Sequence, residues 1–294
     1  MRSLGRVGAL VATAVVCGAC GNSGGTEPTG GCAPGTVALD QTRSGVLTPG
    51  DCTDAASVGE FYDEYALEAR QGQSYLLHVE SNQFDTELFL LSAEGAQNVL
   101  AYSDDYRANS VDFRESTNSE LFFVAPSAQR LLVRVRAFEP GTGGGYVLTV
   151  RSCGGDRITA NTTITGASLS ASDCVVHESH GMQPRSPSHA DFYSVHLNAG
   201  DRKRFAVSGT GFDPAMVMGV RSFDFYGGPA AYSNTFAVRN DTLELSVFET
   251  GDYLLIVGAE AFVTGAYTLT MSDMPPAAGI TASAQSAHRL RSTP

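Results

Sequence analysis

Two stretches of the chain carry one pattern: GQSYLLHVESNQFDTELFLL at residues 72–91 and GDRKRFAVSGTGFDPAMVMG at residues 200–219. Each opens on a glycine (Gly72, Gly200) and runs into a strand of alternating apolar and polar residues. Each then turns at a Phe-Asp pair (Phe84-Asp85, Phe212-Asp213) and enters a second alternating strand. Alternation with period two sends one face of a strand into a core and the other outward. Solenoid repeats recur about every 20–50 residues. A single recurrence after roughly 120 residues is therefore a duplicated domain.

The rest of the chain falls into register around that duplication. Asp63 and Tyr65 match Asp191 and Tyr193, and Leu77 and Val79 match Phe205 and Val207. Leu88 and Leu90 match Met216 and Met218, and AYSDDY at 101–106 matches AYSNTF at 231–236. Glu120-Leu121 aligns with Glu244-Leu245, Leu131 and Val133 with Leu255 and Val257, and Tyr146, Leu148 and Val150 with Tyr267, Leu269 and Met271. His78 and His196 fall at outward positions, where exposed imidazoles are expected. With 32 Gly, 12 Pro, 15 Phe and only 17% charged residues, the composition suits short strands joined by turns. The fold expected is all-β: two tandem antiparallel sandwiches of jelly-roll type.

Residues 1–19 combine Arg2 and Arg6 with an apolar run of thirteen residues, Val7 to Ala19. A membrane-spanning helix needs about 20, so the run reads as a signal peptide. Gly18-Ala19-Cys20-Gly21 resembles a bacterial lipobox, which implies cleavage before Cys20 and acylation of its sulfur; Cys17 departs from the usual Leu or Val. The alternative is an ordinary secretory signal. Residues 20–31 form a Gly-rich tether. The domains are then 32–153 and 154–273, and 274–294 is a polar tail expected to be disordered. The expected address is the cell envelope, facing periplasm or exterior. The net charge of −12 disfavours nucleic acid and anionic lipid as partners.

In the first copy Asp63, Tyr65, Gly72, Phe84, Asp85, Leu88, Leu90, Asp104, Asp105, Gly145, Tyr146 and Leu148 follow one order: D-x-Y, a glycine turn, F-D-x-x-L-x-L, an acidic doublet and a closing Tyr-x-Leu. This resembles the bacterial pre-peptidase C-terminal domain. The second copy departs from it, with Met216 and Met218 for the leucines and Ser233-Asn234 facing the doublet. The resemblance implies a β-sandwich that accompanies secreted proteases and other exported proteins. There it aids export or binds a substrate or surface, and catalysis lies in another domain.

Beyond Cys17 and Cys20, four cysteines allow three pairings, and repeat symmetry selects Cys32–Cys52 and Cys153–Cys174. Asp85, Asp104 and Asp105, with Glu87 nearby, form a candidate calcium corner, since a hard cation takes several oxygens. The plain alternative is that these aspartates cap tight turns; no other cofactor is expected. His177, Glu178, His180, His189 and Asp191 are zinc-ligand types, but their spacing is H-E-x-H and a solvated loop is the better reading. Ser23 in Gly21–Gly25 matches G-x-S-x-G without the strand and helix that a nucleophile elbow requires. Tyr102, Tyr106, Phe225, Tyr226 and Tyr232 fall in connections, where they close a sandwich end or offer an aromatic face. The chain therefore reads as a non-catalytic exported lipoprotein that binds an extracytoplasmic protein or polysaccharide. The alternative is an accessory to export or maturation of a secreted hydrolase.

Overall fold

A computed structural model describes residues 32–53, 59–93, 98–109, 114–153, 157–159, 161–176, 188–220, 222–223, 231–233, 240–259 and 262–275. The leader with Cys17 and Cys20, the tether and the tail from residue 276 lie outside them. Eight principal strands build the first unit: β1 Gln41–Leu47, β2 Phe61–Ala69, β3 Ser74–Glu80, β4 Thr86–Ser92, β5 Val99–Ser103, β6 Ser119–Val124, β7 Gln129–Ala137 and β8 Gly144–Ser152. Eight more repeat the plan: β9 Thr163–Leu169, β10 Ser188–Leu197, β11 Arg202–Gly209, β12 Pro214–Val220, β13 Ala231–Ser233, β14 Asn240–Ser246, β15 Gly251–Ala259 and β16 Gly265–Asp273.

The first unit has sheets ordered β2-β7-β4-β5 and β6-β3-β8-β1, and the second has β10-β15-β12-β13 and β14-β11-β16-β9. Both are jelly rolls, because the chain crosses between the two sheets at every connection except β4 to β5 and β12 to β13, which interleaves the sheets as paired Greek keys. Two-residue strands, Gly35–Thr36 and Arg157–Ile158, add to β2 and β10 in parallel, so the sheets are not wholly antiparallel.

Inward positions of each pair of sheets make one core. Tyr65, Leu77, Leu88, Leu121, Val133 and Leu148 meet in the first, and Phe205, Met216, Met218, Leu243, Leu255 and Leu269 in the second. Each fully buried Leu or Phe stabilises by about 1.5–3 kcal/mol relative to exposure. A polar tie crosses each core. Tyr146 donates to Asp63 (2.6 Å) and meets the Tyr65 hydroxyl at 2.6 Å. Tyr267 donates to Asp191 (2.5 Å) and meets Tyr193 at 2.6 Å. The D-x-Y element and the closing tyrosine thus meet in space and fasten one sheet to the other.

Gly45 and Gly166 lie within β1 and β9, and two expectations about strand register and exposure are corrected. Gly45 passes over the Tyr146 ring, where a Cβ would lie 2.3 Å from Cζ, and Gly166 takes φ +77° at a bulge. The alignment also slips by two residues in two strands. Ala125 and Val247 make the same turn bonds to the Gly72 and Gly200 segments, so Phe122, not Glu120, is the counterpart of Glu244. Tyr65 faces Val133 as Tyr193 faces Leu255, so Val133 pairs with Leu255. A two-residue slip keeps every side chain on its face, so periodicity cannot detect it. Lastly, His78 is 7% exposed, because the face it occupies is covered. His196 does stand outward and half-exposed, 2.9 Å from Asp252.

What covers His78's face is the second unit. Leu76, Phe122 and Val124, on the outer face of the β6-β3-β8-β1 sheet, pack against Ala190, Phe192, Ala215, Leu254 and Ile256. The Phe122 and Phe192 rings meet edge to face at 5.5 Å. Ser194 donates to the Gly72 carbonyl across the seam (3.0 Å), and Ser222–Phe223 of the second unit pairs along the edge of β6. The seam is a third hydrophobic core.

Candidate functional site

The outer face of the β6-β3-β8-β1 sheet that escapes the seam carries two clefts. The first, about 580 Å3, lies over the ends of β1, β3 and β8. The turn after β3 shapes it. The Ser81 hydroxyl donates to the Gly145 carbonyl (2.9 Å) and accepts from the Gln83 and Phe84 amides, while the Ser81 amide donates to Asn118 Oδ1 (2.8 Å). Gln83 Oε1 accepts from the Gly145 amide at 2.9 Å. Gly144 sits at φ +139°, and a Cβ there would lie 2.2 Å from Gln83 Oε1, so the glycine lets the amide side chain lie flat on the strand. Exposed Asn82 and Val46, the latter 60% exposed, complete a surface of amides, hydroxyls and one apolar patch.

The second cleft, about 400 Å3, opens at the seam. Leu76, His78, Glu80, Thr149 and Arg151 line it from the first unit, and Ala171, Ser172, Asp173 and Val175 from the second. His78 Nδ1 lies 3.2 Å from Glu120 Oε2, whose side chain is fully buried, and Nε2 lies 3.8 Å from Glu80 Oε2. Glu80, whose side chain is 59% exposed, lines both clefts.

Among the described residues, the side chains that shape the amide cleft are missing from the second unit: Gly209 and Gly211 stand where the first has Ser81 and Gln83, and Phe212 packs on Gly265, 2.7 Å from where a Cβ would be. The sequence contained this signal, but composition of a turn does not say that its side chains will line a cleft.

The acidic corner is only partly assembled. Asp85 is pushed from 3.8 up to about 6, first by burial and then by Asp104, Glu87 and Glu139. Glu87 is committed elsewhere, accepting from Arg136 Nε (2.5 Å) and Tyr102 (2.7 Å), and Arg136 also binds Glu60. Asp85 Oδ1 and Asp104 Oδ1 are buried without a hydrogen-bond partner, and the Asp105 carbonyl accepts weakly from Ser103 (3.4 Å). Among the described residues no three His, Cys, Asp or Glu side chains gather as a metal-binding group.

Of the zinc-type residues, His189 is buried against Phe262 (5.2 Å) and Asp191 belongs to the tyrosine tie; His177, Glu178 and His180 lie outside the described residues. Tyr102 stacks on Phe89 at 4.7 Å, on the face opposite the seam. Tyr106 and Tyr232 lie on strands, and Phe225 and Tyr226 outside the described residues.

Cys153 and Cys174 are bonded, and both are buried in the seam core. Cys32, exposed ahead of the first strand, and Cys52 are free thiols within hydrogen-bond reach of one another. Burial, then hydrogen bonding and charge interaction with Cys32, push Cys52 up to about 12. Cys174 is held on a strand opposite Ala190 and the Cys153 carbonyl accepts from the Phe192 amide, whereas of Cys32 and Cys52 only Cys52 is on a strand, opposite Tyr62.

No family model matches the chain. No curated protein matches it either. Among solved structures it is similar to the pre-peptidase C-terminal domain of collagenase from Bacillus anthracis, with 22% identity over 40% of this chain and 95% of that one, TM-score 0.31. It is also similar to tripeptidyl peptidase 2, with 9% identity over 81% of this chain and 24% of that one, TM-score 0.22. The exported protein XepA of PBSX shares 7% identity over 85% and 87%, TM-score 0.19. At these TM-scores the likenesses carry no argument about function; the all-β sandwich fold itself stands on the strands and sheets described above.

Proposed function

We infer that the chain is a non-catalytic binding module of the cell envelope, held by an acylated Cys20, whose first sandwich binds a polysaccharide or protein. The observation that carries this reading is the amide cleft. Its lining amides, Asn82, Gln83 and Asn118, are groups that hydrogen-bond in both senses and do not titrate, which suits holding a ligand over transforming one. Ser81 and Gln83, which shape the cleft in one copy of the duplicated scaffold, are Gly209 and Gly211 in the other, so the sheet does not need these side chains in order to fold.

Capture from an envelope extract by the purified chain tests the reading. Retention of a glycan or matrix protein by the wild type and its loss from Asn82→Ala is the expected outcome. Turnover of a captured polymer, abolished by that substitution, would replace the module with an enzyme. The anchor is tested separately, by metabolic labelling with a palmitate analogue that should vanish in Cys20→Ser.

A further inference from the structure

We propose that the amide cleft and the seam cleft form one groove, and that its ligand is an extended, neutral, unbranched polysaccharide touching both sandwiches. This rests on the binding reading above and deepens it by naming the ligand class and the second half of its site. Three observations support it.

The first is continuity. Glu80 lines both clefts, and β3 carries the floor from Leu76 at the seam to Ser81 at the amide turn. At ~3.4 Å per residue that stretch measures about 17 Å, the length of an oligosaccharide and not of a single sugar.

The second is chemistry. The amide cleft has one charged residue, Glu80, and no basic one, and the chain carries −12 overall. An anionic polymer would be repelled. Hydroxyl groups both donate and accept, as do the Asn and Gln amides that line the cleft, so a polyhydroxylated chain can satisfy them in either sense. The seam end adds Thr149, Ser172 and the opposed charges of Arg151 and Asp173, which can likewise donate to and accept from hydroxyls.

The third is rigidity. The seam wall is held by the third hydrophobic core, by the Ser194–Gly72 bond and by the Cys153–Cys174 disulfide beside it. A groove whose two walls belong to different domains keeps its shape only when the domains do not swing. Preorganisation of this kind lowers the cost of ordering the site on binding.

The test is calorimetric titration of the purified full-length chain with β-1,4-linked disaccharides and hexasaccharides of glucose and of N-acetylglucosamine. Two variants accompany it. Asn82→Ala strips the amide cleft, and Ala171→Arg fills the seam cleft; both positions are exposed, and an unchanged melting curve verifies folding. The hexasaccharide should bind about tenfold tighter than the disaccharide. Ala171→Arg should erase that gain and leave disaccharide binding intact, whereas Asn82→Ala should weaken both. A hexasaccharide that binds no tighter, or a gain that survives Ala171→Arg, overturns the continuous groove while the amide cleft stands. Failure of every sugar to bind overturns the glycan assignment. An unstructured casein peptide binding instead, and lost in Asn82→Ala, would keep the cleft and make its ligand a protein.

Discussion

Strands β3 and β11 occupy the same place in the two sandwiches, yet only β11 reads as a strand with one wet face. In β11, Phe205 and Val207 point inward while Arg204 and Ser208 meet water. In β3, every residue from Ser74 to Val79 is buried. Three replacements make the difference: Leu76, Phe122 and Val124 in the first unit stand where the second has Arg204, Glu244 and Ser246. The opposite sheets show the reverse. Phe192 and Ile256 of the second unit stand where the first has Glu64 and Arg134, which pair at 2.6 Å. Each sandwich thus turns one apolar outer face toward its neighbour, and at the equivalent positions of its other sheet or its twin's sheet carries charged pairs instead.

The largest test of that contrast is Phe122→Ala against Glu244→Ala, one position in two settings. The first should cost about 3–5 kcal/mol. The second breaks only the exposed Arg204–Glu244 pair and should cost about 0–1 kcal/mol in urea titration. Equal costs would refute the seam. Next is the Cys153–Cys174 bond, which closes a loop of 21 residues and should contribute about 3 kcal/mol. Because it sits in the seam, Cys174→Ser should also speed hydrogen exchange at the Phe192 amide, which donates to the Cys153 carbonyl.

The tyrosine ties sharpen the comparison by being alike. Tyr146→Phe leaves the buried Asp63 and Tyr267→Phe the half-buried Asp191 short of a donor, and each should lose about 1–3 kcal/mol. A cost confined to one copy would show that the ties are not equivalent. The smallest effect is on pH. Asp85 and Asp191 are each raised from 3.8 to about 6, by burial foremost. Between those values the native state binds more protons than the unfolded one, so these groups stabilise the fold as pH falls from 7 through 6. The melting temperature should rise slightly from pH 7 to pH 5, and less so in Asp191→Asn; a fall carried by Asp191 would contradict the assignment.

Much of the fold was legible because period two and turn glycines report which face of a strand is inward. The jelly-roll plan and the Phe-Asp turns follow from them, and repeat symmetry adds the Cys153–Cys174 pair. Register was legible only modulo two, since Glu120 and Phe122 lie on one face of β6 and either satisfies the pattern. The acidic corner drew attention as charge, but position along the chain does not reveal that Arg136 and Tyr102 hold Glu87. The amide turn at Ser81–Gln83 carries no signal in the sequence, because Ser, Asn and Gln are ordinary loop residues.

The stretch at 72–91 and its twin determined by themselves that there are two β domains and which residues enter their cores, because local alternation encodes burial against a single partner sheet. What only the tertiary structure decided is burial against a second partner. Leu76, His78 and Phe122 look outward from their own sandwich. Whether outward means water or protein depends on Phe192 and Ile256, 70 to 180 residues away in the chain, brought there by the packing of one domain on the other.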